Sequence, residues 1–108
     1  SESVEEIIEK KLYIPFYMHS TSHWLGLDVH DAGKYKDRDD NFTQFEEGMV
    51  LTIEPGLYFG DMAQNITEKY KNIGIRIEDD ILVTESGPKN MTKKIPKEIK
   101  DLETMIGT

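Results

Sequence analysis

The feature that most constrains the fold is an alternating stretch at residues 73–84. Here Ile73, Ile75 and Ile77 are separated by a single glycine and a single arginine, and a glutamate follows them. Successive side chains of a β-strand point to opposite faces, so a period of two residues predicts a strand with one apolar face. We therefore predict a single strand over residues 73–84 and a fold that is built on a β-sheet.

The other segments predict helices at both ends of the chain. Ser3 and Glu6 form a capping box before apolar residues at helical spacing, which predicts a helix over residues 4–13 with a buried stripe, broken near Pro15. Residues 24–27, 49–54 and 89–95 predict short strands, and Pro96 can open a C-terminal helix with its own apolar stripe. This order predicts an α+β fold, mainly an antiparallel sheet flanked by N- and C-terminal helices, rather than a βαβ array.

Composition excludes several classes of function. The 108 residues suffice for one domain, the net charge is -8, and there is no cysteine. The acidic balance argues against sequence-independent nucleic-acid binding, and no apolar run approaches the roughly 20 residues that span a membrane. Without cysteine, thiolate metal sites and cysteine nucleophiles are excluded, and a reducing compartment is allowed. We expect a cytoplasmic protein with neither nucleic-acid nor membrane partners.

All three histidines, His19, His23 and His30, lie within twelve residues. Neutral imidazole is the commonest metal ligand in proteins. Residues four apart can share one ion on a helix, but on a strand they are about 13 Å apart. Because the segment after His23 is strand-like, we expect one member of the pair His19 and His23 to bind metal, and the other to act nearby as a proton carrier or substrate contact. A purely structural histidine cluster is the alternative.

Two glutamates fall within apolar, strand-like segments. Glu54 ends the segment 49–54, and Glu78 lies inside the segment 73–84. A carboxylate in apolar surroundings is costly unless a cation offsets its charge. Arg76 could offset Glu78 in an ordinary buried ion pair, whereas Glu54 has no cation nearby in sequence, which favours a ligand or catalytic role. Imidazole with carboxylates suits manganese, zinc, cobalt or iron better than calcium.

Three motifs follow one another along the chain. They occupy residues 18–31 (Met-His, then Ser-His-Trp-Leu-Gly-Leu-Asp-Val-His-Asp), 47–58 (Glu-Gly-Met-Val, then Glu-Pro-Gly-Leu-Tyr) and 74–80 (Gly-Ile-Arg-Ile-Glu-Asp-Asp). In content and order they resemble the C-terminal end of aminopeptidase P, the Xaa-Pro aminopeptidase of the pita-bread group of creatinase and methionine aminopeptidase. The serine and tryptophan that flank His23 resemble aminopeptidase P more than prolidase.

The resemblance implies a metal centre. Carried over position by position, it makes His23, Glu54 and Glu78 metal ligands. Glu78 would bridge two divalent ions, which we expect to be Mn²⁺, and Glu54 would bind one of them and serve as the base for the attacking water.

The resemblance also implies the reaction and four catalytic residues, which are His19, His30, Glu54 and Arg76. The two histidines would hold the peptide or stabilise the tetrahedral intermediate, and the arginine would orient carboxylates behind the metals. The implied reaction is hydrolysis of the bond between an N-terminal residue and a following proline, so the partners would be peptides with proline in second position. The alternatives are a Xaa-Pro dipeptidase (prolidase) and a non-catalytic peptide-binding pita-bread module, which would have lost the ligands that are present here.

The family pattern also has two aspartate ligands upstream of these motifs, and nothing before the first predicted helix supplies them. We therefore expect residues 1–108 to be a single C-terminal half of a pita-bread metallopeptidase catalytic domain, with an incomplete metal site and little activity by itself. Such a half would expose apolar sheet surface, and large apolar patches tend to associate. We expect a homo-oligomer through that face.

Overall fold

The structure, a computed structural model, describes residues 2–107. Its elements are α1 (Val4–Glu9), β1 (Val50–Ile53), β2 (Gly56–Tyr58), a 3₁₀ turn (Glu68–Tyr70), β3 (Gly74–Arg76), β4 (Asp79–Thr84), β5 (Gly87–Asn90) and α2 (Ile99–Ile106). All strand pairs are antiparallel and the helices stand at the two ends, so the predicted α+β class is confirmed. No helix within residues 2–107 has the length and apolar character to cross a membrane.

The described residues form two compact units. The first comprises residues 2–21 and 55–77, and the second comprises residues 22–54 and 78–107. The first unit contains the two-stranded sheet β2–β3, and the second contains a three-stranded sheet in the order β1–β4–β5. β1 is the strand predicted over residues 49–54, whereas the strand predicted over 89–95 lies earlier, at β5.

The prediction of a single strand over residues 73–84 is wrong. The stretch divides into β3, which pairs with β2, and β4, which pairs with β1 in the other sheet. Regular strand geometry stops at Ile77 and Glu78. The alternation of apolar and polar residues continues where the chain changes from pairing with β2 to pairing with β1. The alternation therefore could not show where the strand breaks. Glu78 therefore lies between two strands rather than inside one.

The N-terminal helix begins as predicted but ends early. Glu6 N–H donates to Ser3 Oγ at 3.2 Å, and Ser3 N–H donates to Glu6 Oε2 at 2.9 Å, which confirms the capping box. Lys11 adopts a left-handed φ of 53°, and Leu12 N–H reaches back to the carbonyl of Ile7 at 2.9 Å. These are the features of a Schellman motif, which ends the helix before the predicted residue 13.

The apolar stripes predicted on the two helices are not buried within residues 2–107. Val4 and Ile8 of α1 are 66% and 61% exposed. α2 begins at Ile99 rather than at Pro96, and its apolar residues are also exposed: Ile99, Leu102, Met105 and Ile106. Helical periodicity identified the apolar face of each helix, but periodicity does not say what covers that face.

The strand predicted over residues 24–27 is largely irregular. Trp24 forms an isolated β-bridge with Leu51 of β1, and the chain then bends from Gly26 onwards. Leu27, the last residue of that predicted strand, is fully exposed. The apolar run predicted the strand, but close packing of the Asp31 carboxyl group against Gly26, where a Cβ atom would lie only 1.8 Å from Asp31 Oδ2, accompanies the bend.

Lys97 connects the segment before α2 to the start of β4 through an ion pair and two hydrogen bonds. Its ammonium lies 2.8 Å from Asp79 Oδ1 and donates to the carbonyls of Thr92 and Ile95 at 3.1 and 3.0 Å. Thr92 Oγ1 also donates to Asp79 Oδ1, at 2.6 Å. The hydrogen bond from Lys97, and then that from Thr92, lowers the pKa of Asp79 below its ordinary value.

We expect Lys97→Met to lower the melting temperature by about 3–8 °C, because it removes a charged donor from three acceptors at once. Folding lowers the pKa of Asp79. The contribution of the Lys97–Asp79 ion pair to stability is therefore present above the ordinary aspartate pKa and disappears as the pH falls through the lowered pKa. The difference from wild type should therefore narrow below about pH 4. Thermal melts followed by circular dichroism measure this difference in melting temperature. Lys93→Met, which replaces an exposed lysine, is the control. Equal melting temperatures of wild type and Lys97→Met at pH 7 would contradict the role of Lys97.

Candidate metal centre

Strand pairing brings three predicted ligands to one end of β1. β1 pairs with β4 in a register whose next pair, just beyond both strands, is Glu54 with Glu78. On the other edge of β1, Thr52 N–H donates to the carbonyl of His23 at 3.0 Å. His23 and Glu78 therefore approach Glu54 from its two sides, and all of them belong to the second unit.

His23, Glu54 and Glu78 each offer a ligand atom, and these atoms all lie within 4.8 Å of one another. His23 Nε2 is 3.3 Å from Glu54 Oε1. One imidazole nitrogen with two carboxylates is a donor set that fits a divalent transition metal. The structure thus brings together the three residues that the sequence motifs assign as metal ligands, and their role as ligands stays a prediction.

The hydrogen bonding of His23 is compatible with a positive charge between its ring and Glu54. Nδ1 lies 2.9 Å from the carbonyl oxygen of Trp24. A carbonyl can only accept, so Nδ1 carries a hydrogen, and in the neutral imidazole Nε2 keeps its lone pair. In that form Nε2 and the Glu54 carboxylate face each other as two acceptors, which repel unless a proton or a metal cation lies between them. A backbone carbonyl on Nδ1 is also the usual way in which proteins orient a metal-binding histidine.

The two glutamates differ in burial. Glu54 is only 6% exposed, as expected for a carboxylate that ends an apolar strand. Its burial is costly unless its charge is offset. Glu78, by contrast, is exposed at the break between β3 and β4, so the burial expected from its apolar neighbours is wrong. Because one candidate ligand is buried and another faces solvent, the site is open on one side within residues 2–107.

His30 lies beside the three candidate ligands. Its ring centroid is 4.5 Å from that of His23, with the two rings at 73°. His30 is exposed, so its ring is accessible from solvent. This position agrees with a residue that contacts a substrate, and the catalytic role of His30 stays a prediction.

The other two predicted catalytic residues, His19 and Arg76, lie in the first unit and share the hydroxyl of Tyr58. His19 Nδ1 is 2.8 Å from the carbonyl of Ser20, so it carries a hydrogen, and in the neutral imidazole Nε2 is an acceptor. Tyr58 O–H can then donate to His19 Nε2 at 2.8 Å, while it accepts from Arg76 Nε at 2.9 Å. The Tyr58 hydroxyl thus serves as a donor to His19 and as an acceptor from Arg76.

Tyr58 ends the second sequence motif, but sequence analysis assigned it no role. The packing of its ring shows how the side chain is held in place. Tyr58 lies opposite Gly74 in the pairing of β2 with β3. A Cβ atom on Gly74 would lie 2.7 Å from Tyr58 Cδ1, and one on Gly56 would lie 2.6 Å from Tyr58 Cε2. The two glycines therefore leave the space that the ring occupies. The available signal was a tyrosine two residues after one glycine, in a segment that could pair with a second glycine.

The sequence pattern of metallopeptidase family M24 matches residues 1–85 of the chain. The chain belongs to metallopeptidase family M24. The predicted resemblance is therefore confirmed at the level of the family, and the candidate ligands His23, Glu54 and Glu78 all lie within the matched residues.

Relatives of this M24 chain include Xaa-Pro aminopeptidases. The Xaa-Pro aminopeptidase of Haemophilus influenzae is 50% identical over 103 residues, which are 95% of this chain and 23% of that protein. Among solved structures, Pseudomonas aeruginosa aminopeptidase PepP matches with a TM-score of 0.90 and 38% identity, over 99% of this chain and 24% of that chain. Zinc-substituted Escherichia coli aminopeptidase P in complex with product matches with a TM-score of 0.85 and 46% identity, over the same shares.

The M24 chain thus spans about a quarter of the length of these relatives. Within that part, its arrangement of helices and antiparallel strands is the one found in aminopeptidase P, which confirms the predicted pita-bread type of fold.

Proposed function

We propose that the full-length protein is a metal-dependent aminopeptidase that hydrolyses the bond between an N-terminal residue and a following proline. The observation that carries the proposal is the convergence of His23, Glu54 and Glu78, whose ligand atoms lie within 4.8 Å of one another. The names of the M24 relatives support the substrate class, peptides with proline in second position.

We propose that His23, Glu54 and Glu78 contribute to a centre of two divalent ions, with Glu78 bridging them. Mn²⁺ is the proposed metal because imidazole and carboxylate donors suit it, although they suit zinc as well, and zinc substitutes in the E. coli relative. Such ions polarise a peptide carbonyl and lower the pKa of a water molecule. Metal analysis of the purified full-length protein tests the choice; zinc as the bound metal would refute manganese.

The residues of the chain would divide the remaining tasks. Glu54, buried beside the imidazole of His23, would accept the proton of the attacking water. His19 and His30 would contact the peptide, and Arg76 would orient acidic groups. For His19 and Arg76 the proposal is based on the motifs and on their hydrogen bonds to Tyr58.

Hydrolysis of matched peptides by the Mn²⁺-loaded full-length protein tests the proposal. We expect a Xaa-Pro-Yaa tripeptide to lose its first residue, and the same tripeptide with alanine in place of proline to remain intact. Cleavage of Xaa-Pro dipeptides alone would assign a prolidase instead. Binding of the tripeptide without any hydrolysis would assign a non-catalytic peptide-binding module.

Self-association is a further part of the proposal. The apolar side chains of α2 are exposed, with Ile99, Met105 and Ile106 each at least 70% accessible. Exposed apolar surface of this kind tends to associate. We propose a homo-oligomer, and sedimentation of residues 1–108 at high concentration tests it; a monomer would refute it.

We also propose a cytoplasmic location without nucleic-acid or membrane partners. The chain has no cysteine that would require an oxidising compartment, and its net charge of -8 disfavours binding to phosphate backbones. Cell fractionation followed by immunoblotting would test the location, and recovery in the membrane fraction would contradict it.

A prediction follows for the glycine that faces Tyr58. We expect Gly74→Ala to push the ring aside, because its Cβ would lie 2.7 Å from Tyr58 Cδ1. Displacement of the hydroxyl from His19 and Arg76 should lower kcat/KM on the tripeptide by about 10–100-fold. Gly60→Ala is the matched control, since a Cβ there meets no atom within 4 Å. Equal activity of the two variants would show that the position of Tyr58 does not matter.

A further inference from the structure

The hydroxyl of Thr52 joins two of the three candidate ligands. Thr52 is 1% exposed, the most deeply buried side chain among residues 2–107. Its Oγ1 accepts the backbone N–H of His23 at 3.1 Å and donates to Glu54 Oε1 at 3.3 Å. A hydroxyl has one hydrogen and two lone pairs, so it can make both bonds at the same time.

The backbone adds a second link between the same residues. Thr52 N–H donates to the carbonyl of His23 at 3.0 Å, so both polar groups of the His23 backbone are bound to Thr52. The imidazole is fixed in turn by its Nδ1 contact with the carbonyl of Trp24. Because the backbone and the ring of His23 are both fixed, the position of His23 Nε2 depends on where Thr52 holds the His23 backbone.

Thr52 also orients the carboxylate. Glu54 Oε1, the oxygen that receives the threonine hydroxyl, is the same oxygen that lies 3.3 Å from His23 Nε2. A donor on this oxygen selects one rotation of the carboxylate group. One side chain therefore orients both His23 and Glu54.

We infer that Thr52 is a positioning residue that fixes the spacing of His23 and Glu54 and thereby sets how tightly the site binds a divalent ion. The inference rests on the proposed metal centre and adds a residue that does not touch the ion. Groups that hold metal ligands in place commonly change metal affinity by 10–100-fold when they are removed.

Two substitutions separate the hydroxyl from the shape of the side chain. Thr52→Val keeps the volume and removes the hydroxyl, whereas Thr52→Ser keeps the hydroxyl. In calorimetric titrations of the metal-free full-length protein with Mn²⁺, we expect Thr52→Val to bind about 10–100-fold more weakly than wild type, and Thr52→Ser to remain within about threefold. Co²⁺ provides a second measurement, since the visible spectrum of the bound ion reports its ligand geometry and should change only in Thr52→Val.

Thr84→Val is the matched control. Thr84 is a half-buried threonine of the same sheet whose hydroxyl donates to the carbonyl of Gly87 at 2.6 Å. The Thr84→Val variant shows how the loss of a threonine hydroxyl distant from the candidate ligands affects metal affinity. We expect the Mn²⁺ affinity of this variant to equal that of wild type. Should Thr52→Val not fold, Thr52→Ala also lacks the hydroxyl and should show the same loss.

The outcomes distinguish the inference from the proposal beneath it. Wild-type affinity in Thr52→Val, or an equal loss in Thr84→Val, would overturn the positioning role and leave the metal centre standing. A wild-type protein that binds neither Mn²⁺ nor Co²⁺ nor zinc would overturn both. Weak binding in Thr52→Val with recovery in Thr52→Ser supports the inference.

Discussion

Glu54→Gln in the full-length protein will lower kcat/KM for a Xaa-Pro-Yaa tripeptide by about 10³-fold or more. Glutamine has nearly the same size, so the site, which encloses Glu54 to 6% exposure, should keep its shape. The neutral amide, however, neither balances a cation nor accepts a proton from water. Removal of a general base alone costs about 10²–10⁴-fold, and loss of a metal ligand adds to that cost.

Glu85→Gln provides the comparison for this substitution. Glu85 lies in the exposed turn between β4 and β5, in the same unit of the chain. We expect its activity to be that of wild type, so that any loss in Glu54→Gln cannot be attributed to the change of net charge. Activity of Glu54→Gln within tenfold of wild type would exclude Glu54 both as a ligand and as the base.

Removal of divalent ions with a chelator will abolish hydrolysis and lower the free energy of unfolding. An ion that binds only the folded state stabilises it by about 2.7 kcal/mol when its concentration is 100 times Kd. Addition of Mn²⁺ to the stripped full-length protein should therefore restore both activity and stability, which denaturant titration with and without the ion can measure.

The Glu54→Gln protein supplies the control for metal removal. Without the carboxylate between His23 and Glu78, Mn²⁺ should add little to its stability. If the stripped wild-type protein retained full activity, or if Mn²⁺ stabilised both proteins equally, the ion would be bound elsewhere and the proposed centre would be wrong.

The fold was predictable where one local pattern decides the structure. The capping box of Ser3 and Glu6 placed the start of α1, because it depends only on residues three apart. The break at Ile77 and Glu78 was not predictable, because it arises when the chain exchanges one strand partner for another. The ends of the helices depended on details such as the left-handed geometry of Lys11, which a lysine does not signal.

The candidate site shows the same division. The motifs pointed to His23, Glu54 and Glu78, but only the register of β1 with β4 explains why Glu78 comes to face Glu54. Thr52 also binds His23, and Tyr58 binds His19, through hydrogen bonds between residues distant in sequence, which local spacing does not predict. Residue type alone identifies possible ligands, whereas the groups that hold ligands in place appear only with the coordinates.

The strand order also determines when the three candidate ligands meet as the protein is made. His23, Glu54 and Glu78 come from three separate segments, so an unfolded chain presents them as isolated donors rather than as a chelate. Of these three, a nascent polypeptide that has released β1 but not β4 presents His23 and Glu54 alone. In the proposed centre, coordination by all three would therefore follow the pairing of β4 with β1.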